Sequence, residues 1–315
     1  MKMIEVQAPG MLTTVQDLGR EGYGPLGVSA SGAADAVSLR IGNRLVGNGE
    51  SAAALEMTLL GGTFVFADGG VIALTGCDFG ATLDDAPLEL WASVTLKPGQ
   101  TLKCGATKSG ARCYLCVQGG IEVKLFLGSA SKHLLSGLGG FEGRALRKGD
   151  VLRVASAKEA FRTFRSKKVP EGLLAQLAPR KILRVTPGPQ AAWFSAAAQE
   201  TFHESSYRLT EDSNRMGLRL EGPPIPASVQ GEMVSEGVAL GAVQIPAGGQ
   251  PIILFVEQQT TGGYPKIANV ISADFHAIGQ LRPRDELRFE PVDMETARKL
   301  LREQESLLAS DDLII

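Results

Sequence analysis

The sequence predicts a mainly β protein of two related barrel- or sandwich-type domains with a few short helices. Three observations predict it. Short apolar segments recur between turn signals along the whole chain, which carries 38 Gly and 16 Pro in 315 residues. Many of these segments alternate apolar and polar residues with period two, as in Leu287-Arg288-Phe289-Glu290, the spacing of a strand with one buried face. The two halves also share punctuation. Ile4 to Gly10 (IEVQAPG) answers Ile182 to Gly188 (ILRVTPG), and Gly143 to Val154 answers Gly279 to Phe289, each with an aspartate (Asp150, Asp285) just before a strand. Length agrees, since ~150 residues per domain gives about two domains.

In chain order, strands are predicted within Gly62–Phe66, Val71–Leu74, Leu88–Leu96, Arg112–Val117, Val151–Val154, Lys181–Val185, Arg215–Leu220, Ile252–Val256 and Glu286–Val292. Helical spacing appears over Ala33–Val46, with Ser31 as the expected N-cap, over Gln190–Ala198, and over Asp293–Leu308, with Asp293 as the expected N-cap. Gly105 to Gly110 reads as a hairpin turn. The resulting division is a first domain over 1–157, a link over 158–180, a second domain over 181–292, and a helix and tail over 293–315. The link holds Arg162, Arg165, Lys167, Lys168, Pro170 and Pro179 and reads as solvated chain rather than a basic patch.

Composition narrows the function. Apolar residues make up 44%, enough for ordinary cores, and charged residues 21%, which argues against global disorder. Net charge is −2 with no basic block, so nucleic acid is not an expected partner. The N-terminus reaches Glu5 and Pro9-Gly10 without the apolar core of a signal peptide. No apolar run approaches the ~20 residues of a membrane helix. A cytoplasmic protein with no membrane partner is expected. Cys113-x-x-Cys116 lies in a predicted strand, where i and i+3 point to opposite faces, and no second pair or histidine stands at ligand spacing. Buried thiols are expected, and no metal site.

Familiar catalytic signatures fail. Gly105-Ala-Thr-Lys-Ser-Gly110 has glycines at P-loop spacing, but Ala111-Arg112 follows instead of Lys-Ser/Thr. Gly27-Val-Ser29-Ala-Ser31 ends in serine where a nucleophile elbow needs glycine. What remains are polar clusters at glycine-rich turns. Met11–Asp35 brings Gln16, Asp17, Arg20 and Ser31. Leu127–Arg144 brings Ser129, Ser131, Lys132, His133 and Arg144. Val256–Ala268 (VEQQTTGGYPKIA) brings Gln258, Gln259, Thr260, Thr261, Gly262, Gly263, Tyr264 and Lys266 between two apolar runs, which sets it at the rim of a barrel. Such a neutral donor–acceptor array suits an amide, urea or carboxylate, which needs matched hydrogen bonds more than net charge.

Four stretches, TTVQDLGREGYGPLGVSASGAAD, NRLVGNGESAAALEMTLLGG, YLCVQGGIEVKLFLGSAS and QTTGGYPKIANVISADFHAIGQL, resemble the biotin-dependent carboxyltransferase family. This family is also known as the 5-oxoprolinase C subunit, KipA or allophanate hydrolase subunit 2. The resemblance runs from about Glu5 to Phe289. It implies two cyclophilin-like β-barrel domains and a part in an ATP-dependent 5-oxoprolinase, which opens 5-oxo-L-proline to L-glutamate with subunits A and B, the latter KipI-type. ATP is implied as a cofactor shared with those partners, with Mg as its accompanying ion. The resemblance also leaves two other roles. One is a regulatory, non-catalytic partner of a kinase-inhibitor subunit. The other is a carboxyltransferase acting on urea, the one case in which biotin is implied.

Carried onto this chain, the motifs imply Lys266, Asp17, Arg20 and Arg144 as catalytic residues. Gln16, Ser31, Ser129, Gln259, Thr260, Thr261, Gly262, Gly263, Tyr264 and Gln280 are implied as substrate-binding. Gln259, Thr260, Thr261 and Tyr264 would orient the substrate amide in a recess shared by the two barrels. Lys266, Arg20 and Arg144 would offset developing negative charge, and Asp17 or Glu56 would orient a cation or a base. The chain departs from the family at Ala130 and Lys132, where Gly-Ser-Arg-Ser-Thr is usual.

Overall fold

The computed structural model describes residues 2–156, 164–228 and 233–315. The chain divides into two compact units. One comprises Met1–Arg20, Ser31–Ala178 and Leu308–Ile315, and the other Glu21–Ala30 and Pro179–Leu307. The expectation of a mainly β protein with few helices holds in both.

The first unit contains strands β1 (Lys2–Ala8), β2 (Leu12–Gln16), β3 (Ala54–Thr58), β4 (Thr63–Phe66), β5 (Gly70–Gly76), β6 (Thr82–Leu83), β7 (Ala86–Pro87), β8 (Ser93–Leu96), β9 (Gln100–Lys103), β10 (Arg112–Val117), β11 (Ile121–Glu122) and β12 (Val151–Val154), with helices α1 (Ala36–Leu45) and α2 (Glu171–Leu174). One sheet runs β11-β12-β1-β4-β9-β6-β7 and the other β2-β3-β10-β5-β8. Ile4, Val6, Phe64 and Phe66 of the first sheet and Leu55, Ile72, Leu74 and Leu115 of the second enter one apolar core. Alternation explains β1 and β4, which bury every second residue. By contrast β10 is buried along its whole length, because β3 and β5 flank it and α1 packs on it.

Helix α1 begins later than expected. Ser31 does not cap it: its φ of 54° is left-handed, and its hydroxyl meets no hydrogen-bond partner among the described residues. Asp35 caps instead, accepting from Ser38 N–H at 2.9 Å and from Ser38 Oγ at 2.6 Å, an interaction worth about 1 kcal/mol. Both residue types favour N-caps, and the covering geometry decides between them. The segment entering α1 is pinned from below: Glu56 accepts from Ala34 N–H and from Tyr114 O–H, while Asp35 N–H donates to that phenol. Burial, then the neighbouring Glu56, pushes the Tyr114 phenol well up, keeping it a donor. Glu56 is therefore a buried structural acceptor, ion-paired to Arg112.

Gly105–Gly110 is not a hairpin turn, since β9 and β10 on either side belong to different sheets. The predicted strand Leu88–Leu96 is confined to β8. Of the predicted link, residues 158–163, Arg162 included, lie outside the described residues. Lys167 and Lys168 belong to the first unit, bonding to Ser93 and to the C-terminal Ile315.

The second unit contains β13 (Ile182–Pro187), α3 (Ala196–Glu204), β14 (Tyr207–Leu209), β15 (Gly217–Glu221), β16 (Glu236–Gly237), β17 (Ala242–Gln244), β18 (Ile252–Leu254), β19 (Thr261–Gly262), β20 (Lys266–Val270), α4 (Phe275–Gln280), β21 (Glu286–Pro291) and α5 (Met294–Ala309). Seven strands close a barrel in the order β13-β20-β17-β18-β15-β14-β21, with β13 and β21 parallel. Closure removes sheet edges, and β16 and β19 form a separate two-stranded ribbon. Phe202 from α3 stacks on Phe289 of β21 at 4.4 Å, and both rings pack against Tyr207. The second predicted helix is split. A 3-10 turn covers Ala191–Trp193, and α3 starts after Ser195, which caps Ala198 N–H. As expected, Asp293 caps α5 through Thr296 N–H.

Candidate functional site

Most of the predicted residues fall into two arrays, one in each unit. In the first unit, β2 delivers Gln16 and then Asp17 to the turn at Gly128–Lys132. The Asp17 carboxylate accepts from Ser129 Oγ (2.6 Å), Ser131 Oγ (2.5 Å), Ala130 N–H (2.6 Å) and Gly19 N–H (2.8 Å). Asp17 N–H donates back to Ser131 Oγ at 2.9 Å. Arg20 is 2% exposed, stacks over the Phe126 ring at 5.4 Å, and donates to the Ser131 and Phe126 carbonyls. Gly139 makes room for it. A methyl there would lie 2.1 Å from the Ser131 carbonyl oxygen and 3.0 Å from Arg20 Nη2. Lys132, at the departing position of the loop, is equally buried and donates to the His133 carbonyl. Gln16 Nε2 donates to Thr14 Oγ1 and the Lys132 carbonyl, while its Oε1 meets no partner among the described residues.

Gln16, Asp17, Arg20 and Ser129 are thus brought together as a clamp between distant loops. Arg144 stands apart from it. Its guanidinium is bidentate on Asp150 (2.7 and 2.8 Å), bonds Glu142 at 2.6 Å, and lies over the Phe141 ring. Donation to Asp150, then to Glu142, pushes the Arg144 pKa up, and the guanidinium holds Asp150 below the usual carboxylate range. A groove of about 620 Å³ runs between Glu122–Phe126 and Gly137–Gly143, and the side chains named above other than Phe126, Phe141 and Glu142 do not line it.

The second array lies where β18 returns to β20. Gln259, Thr261 and Tyr264 are exposed, Thr260 and Gly263 half-buried, and Gly262 and Lys266 buried. The base of this crossing is fixed by a buried ion pair between Arg215 and Glu257, reinforced by Glu257 N–H on the Arg215 carbonyl. Thr261–Gly262 forms β19, pairing Gly262 with Glu236 and Thr261 with Gly237. The Lys266 side chain is 3% exposed and donates to Glu236, whose side chain is 45% exposed. Gln190 Nε2 donates to the same Glu236 oxygen at 2.9 Å, and its own Oε1 accepts from Lys266 N–H at 3.1 Å. The Lys266 ammonium first, then the Gln190 amide, holds the Glu236 carboxyl below its ordinary range. Gln244 sits opposite Lys266 in the β17–β20 register. A methyl on Gly262 would lie 2.5 Å from Gln244 Nε2 and 3.0 Å from Gln259 Nε2, so the space above this glycine is taken by two amides. Gln280 ends α4 and is buried.

Sequence reasoning missed Glu236 and Gln190 and did not rank Gln244 with the binding residues. Glu236 carries no local signal, because its role follows from the pairing of β16 with β19. Gln190 follows Pro187-Gly188-Pro189, a turn signal that could have drawn attention to it.

Residues 26–291 match the family described as the carboxyltransferase domain, subdomain A and B. The chain belongs to this carboxyltransferase-domain family. It is 40% identical to the 5-oxoprolinase C subunit of Escherichia coli, over 96% of each chain. It is 38% identical to the protein of that name from Haemophilus influenzae, over 97% of this chain and 96% of the other. Among solved structures, the K. lactis urea amidolyase matches 99% of this carboxyltransferase-domain chain at 33% identity with a TM-score of 0.91, and the match takes up 21% of that larger chain. Proteins of both kinds in the carboxyltransferase-domain family thus share this fold, and the 5-oxoprolinase subunits share its length.

Among the described residues no group of three or more His, Cys, Asp or Glu could hold a metal ion, and no helix is long and apolar enough to cross a membrane. The cations that the sequence singled out in the first unit do not fit a nucleotide phosphate. Arg20 and Lys132 are buried against carbonyls, and Arg144 is held by two carboxylates.

Proposed function

We propose that this chain is the C subunit of an ATP-dependent 5-oxoprolinase, opening 5-oxo-L-proline to L-glutamate together with partner subunits A and B. The observation that carries the reading is end-to-end likeness to proteins of that name, over 96% of both chains. The second array supplies the chemistry that supports it. A lactam presents a carbonyl acceptor and an N–H donor in one plane, and an unmatched buried group costs about 1–3 kcal/mol. Gln259, Thr260, Thr261 and Tyr264 offer both kinds of group on the crossing between two barrel strands. Lys266 supplies a buried positive charge on the same stretch of chain, which an anionic group of the substrate can meet.

ATP would supply the activation that a stable amide bond needs. With Arg20, Lys132 and Arg144 committed internally, this reading leaves the nucleotide, and any Mg, to the partner subunits. Asp17, Arg20, Gln16 and Ser129 then act by holding the first unit's loops. The carboxyltransferase reading on urea draws on the same array, since urea is also a planar amide, and the likeness to urea amidolyase favours keeping it as the second reading.

The test is reconstitution. The purified chain, alone and with its partner subunits, is assayed for 5-oxoproline-dependent ADP release. Turnover is expected only from the complex and is lost in Lys266→Ala. Turnover by the lone chain, or full activity of the variant complex, would contradict the proposal. A complex that binds but never turns over 5-oxoproline would favour a regulatory subunit.

A further inference from the structure

Two donors of the second unit meet at one acceptor, and strand pairing places a third near them. Lys266 Nζ and Gln190 Nε2 both donate to Glu236 Oε1. The two donors are tied to each other, since Lys266 N–H donates to Gln190 Oε1 and Gln190 N–H to the Lys266 carbonyl. The third is Gln244 Nε2. Its residue is 1% exposed, and this amide nitrogen has no hydrogen-bond partner among the described residues. Its position follows from a closed circuit. Gln244 faces Lys266 across β17–β20, Lys266 reaches Glu236, Glu236 faces Gly262 across β16–β19, and Gln244 Nε2 lies against Gly262.

The partners differ in how they are held. Lys266 and Gln244 stand on barrel strands. Glu236 comes from a two-residue strand of the separate ribbon, and about half of its side chain faces solvent. A buried amide donor left without an acceptor costs about 1–3 kcal/mol, and fixed proteins rarely retain one. Here it belongs to the strand paired with that of a buried ammonium, whose counter-charge arrives from the solvent side.

We propose that Lys266, Gln190 and Gln244 form a receptor for the carboxylate of a small-molecule ligand, and that Glu236 is an internal carboxylate occupying it until the ligand exchanges with it. A carboxylate offers two oxygens and about four acceptor positions. One ligand oxygen replaces Glu236 Oε1 on Lys266 and Gln190, and the other satisfies Gln244 Nε2. The exchange conserves charge, so the ammonium is never buried alone, a state that is strongly destabilising. The receptor follows from the donors. Its natural ligand rests on the function proposed above: 5-oxo-L-proline carries a carboxylate beside its lactam.

The test is calorimetric titration of the full chain with 5-oxo-L-proline, with 2-pyrrolidinone (the same lactam without a carboxylate) and with acetate. Removing the internal competitor in Glu236→Ala should tighten both carboxylates by about tenfold or more, with 2-pyrrolidinone unchanged. The near-isosteric Glu236→Gln should move them in the same direction, which guards against a folding artefact in the alanine variant. Adding Gln244→Met should remove most of the gain. If neither folded Glu236 variant binds either carboxylate more tightly than the wild type, the receptor is refuted. If acetate gains and 5-oxoproline binds to neither form, the receptor stands and the 5-oxoprolinase reading fails.

Discussion

Replacing Asp17 with Asn separates a clamp from a catalytic carboxylate. The side chain keeps its shape but loses its charge and one acceptor oxygen. In the wild type, Gly19 N–H donates to Oδ1 and Ala130 N–H to Oδ2. The Ser129 and Ser131 hydroxyls can reverse and accept from an amide, but a backbone N–H cannot. Whichever way the new amide turns, one backbone donor faces an NH₂ group. Hydrogen bonds to charged groups contribute about 1.5–3 kcal/mol and a buried orphan donor costs about 1–3, so the loss should be about 3 kcal/mol. The chain has two tryptophans, Trp91 in the first unit and Trp193 in the second. In a Trp193→Phe background, Trp91 fluorescence reports the first unit alone. With a urea slope of about 2 kcal/mol per M, the midpoint should fall by about 1.5 M. A midpoint unchanged within error, accompanied by lost turnover in the reconstituted complex, would refute the clamp and return Asp17 to the chemistry.

Further outcomes follow from the same geometry. Gly262→Ala should displace the Gln244 amide and weaken 5-oxoproline binding about tenfold or more, with barrel stability changed by less than ~1 kcal/mol, checked by titration and thermal melting. Asp150, held below the ordinary carboxylate range by Arg144, stabilises the fold fully above its unfolded pKa of about 3.9. That contribution fades as pH falls through its lower folded value. Asp150→Asn should therefore be less stable than the wild type at pH 7, with the gap closing in acid-titrated denaturation below about pH 3. Burial raises the Cys77 thiol to about 11 and Cys104 to about 12, and pushes Cys113 and Cys116 up as well. All four should resist a thiol reagent at pH 8 in the native chain and react on unfolding, and native labelling of Cys113 or Cys116 would overturn the buried-strand assignment.

Strands were legible where one face is buried and the residues alternate, as in β4, β12 and β21. They were legible as apolar runs where both faces are covered, as in β10. Boundaries were less so. Ser31 and Asp35 are equally good N-cap types, and only the left-handed backbone at Ser31 removes it. Gly105–Gly110 looked like a hairpin because sequence shows that two strands are close in the chain, not that they join different sheets. Arg144 drew attention through its glycine-rich loop and through the family resemblance that implied a catalytic role. Its partner six residues on, Asp150, was read only as a turn residue. Glu236 was invisible for a different reason: β16 and β19 are two residues each, too short for any periodicity to register.

The two arrays read alike in sequence, as polar residues among glycines, and what separates them physically is how their charges are enclosed. In the first unit the Asp17 carboxylate and the Arg20 guanidinium are both buried, and backbone groups on fixed loops hold both of them. Withdrawing either strands a buried N–H or carbonyl, and an incoming ligand carries nothing that repairs the loops. In the second unit a buried ammonium faces a half-exposed carboxylate, and a buried amide donor beside it waits for an acceptor. Releasing Glu236 to water strands nothing once another carboxylate takes its place, and the new arrival satisfies one donor more than Glu236 does. Ligand exchange at near-constant charge is therefore open at Lys266 and closed at Asp17, and on that ground we propose recognition for the second unit's array and scaffolding for the clamp.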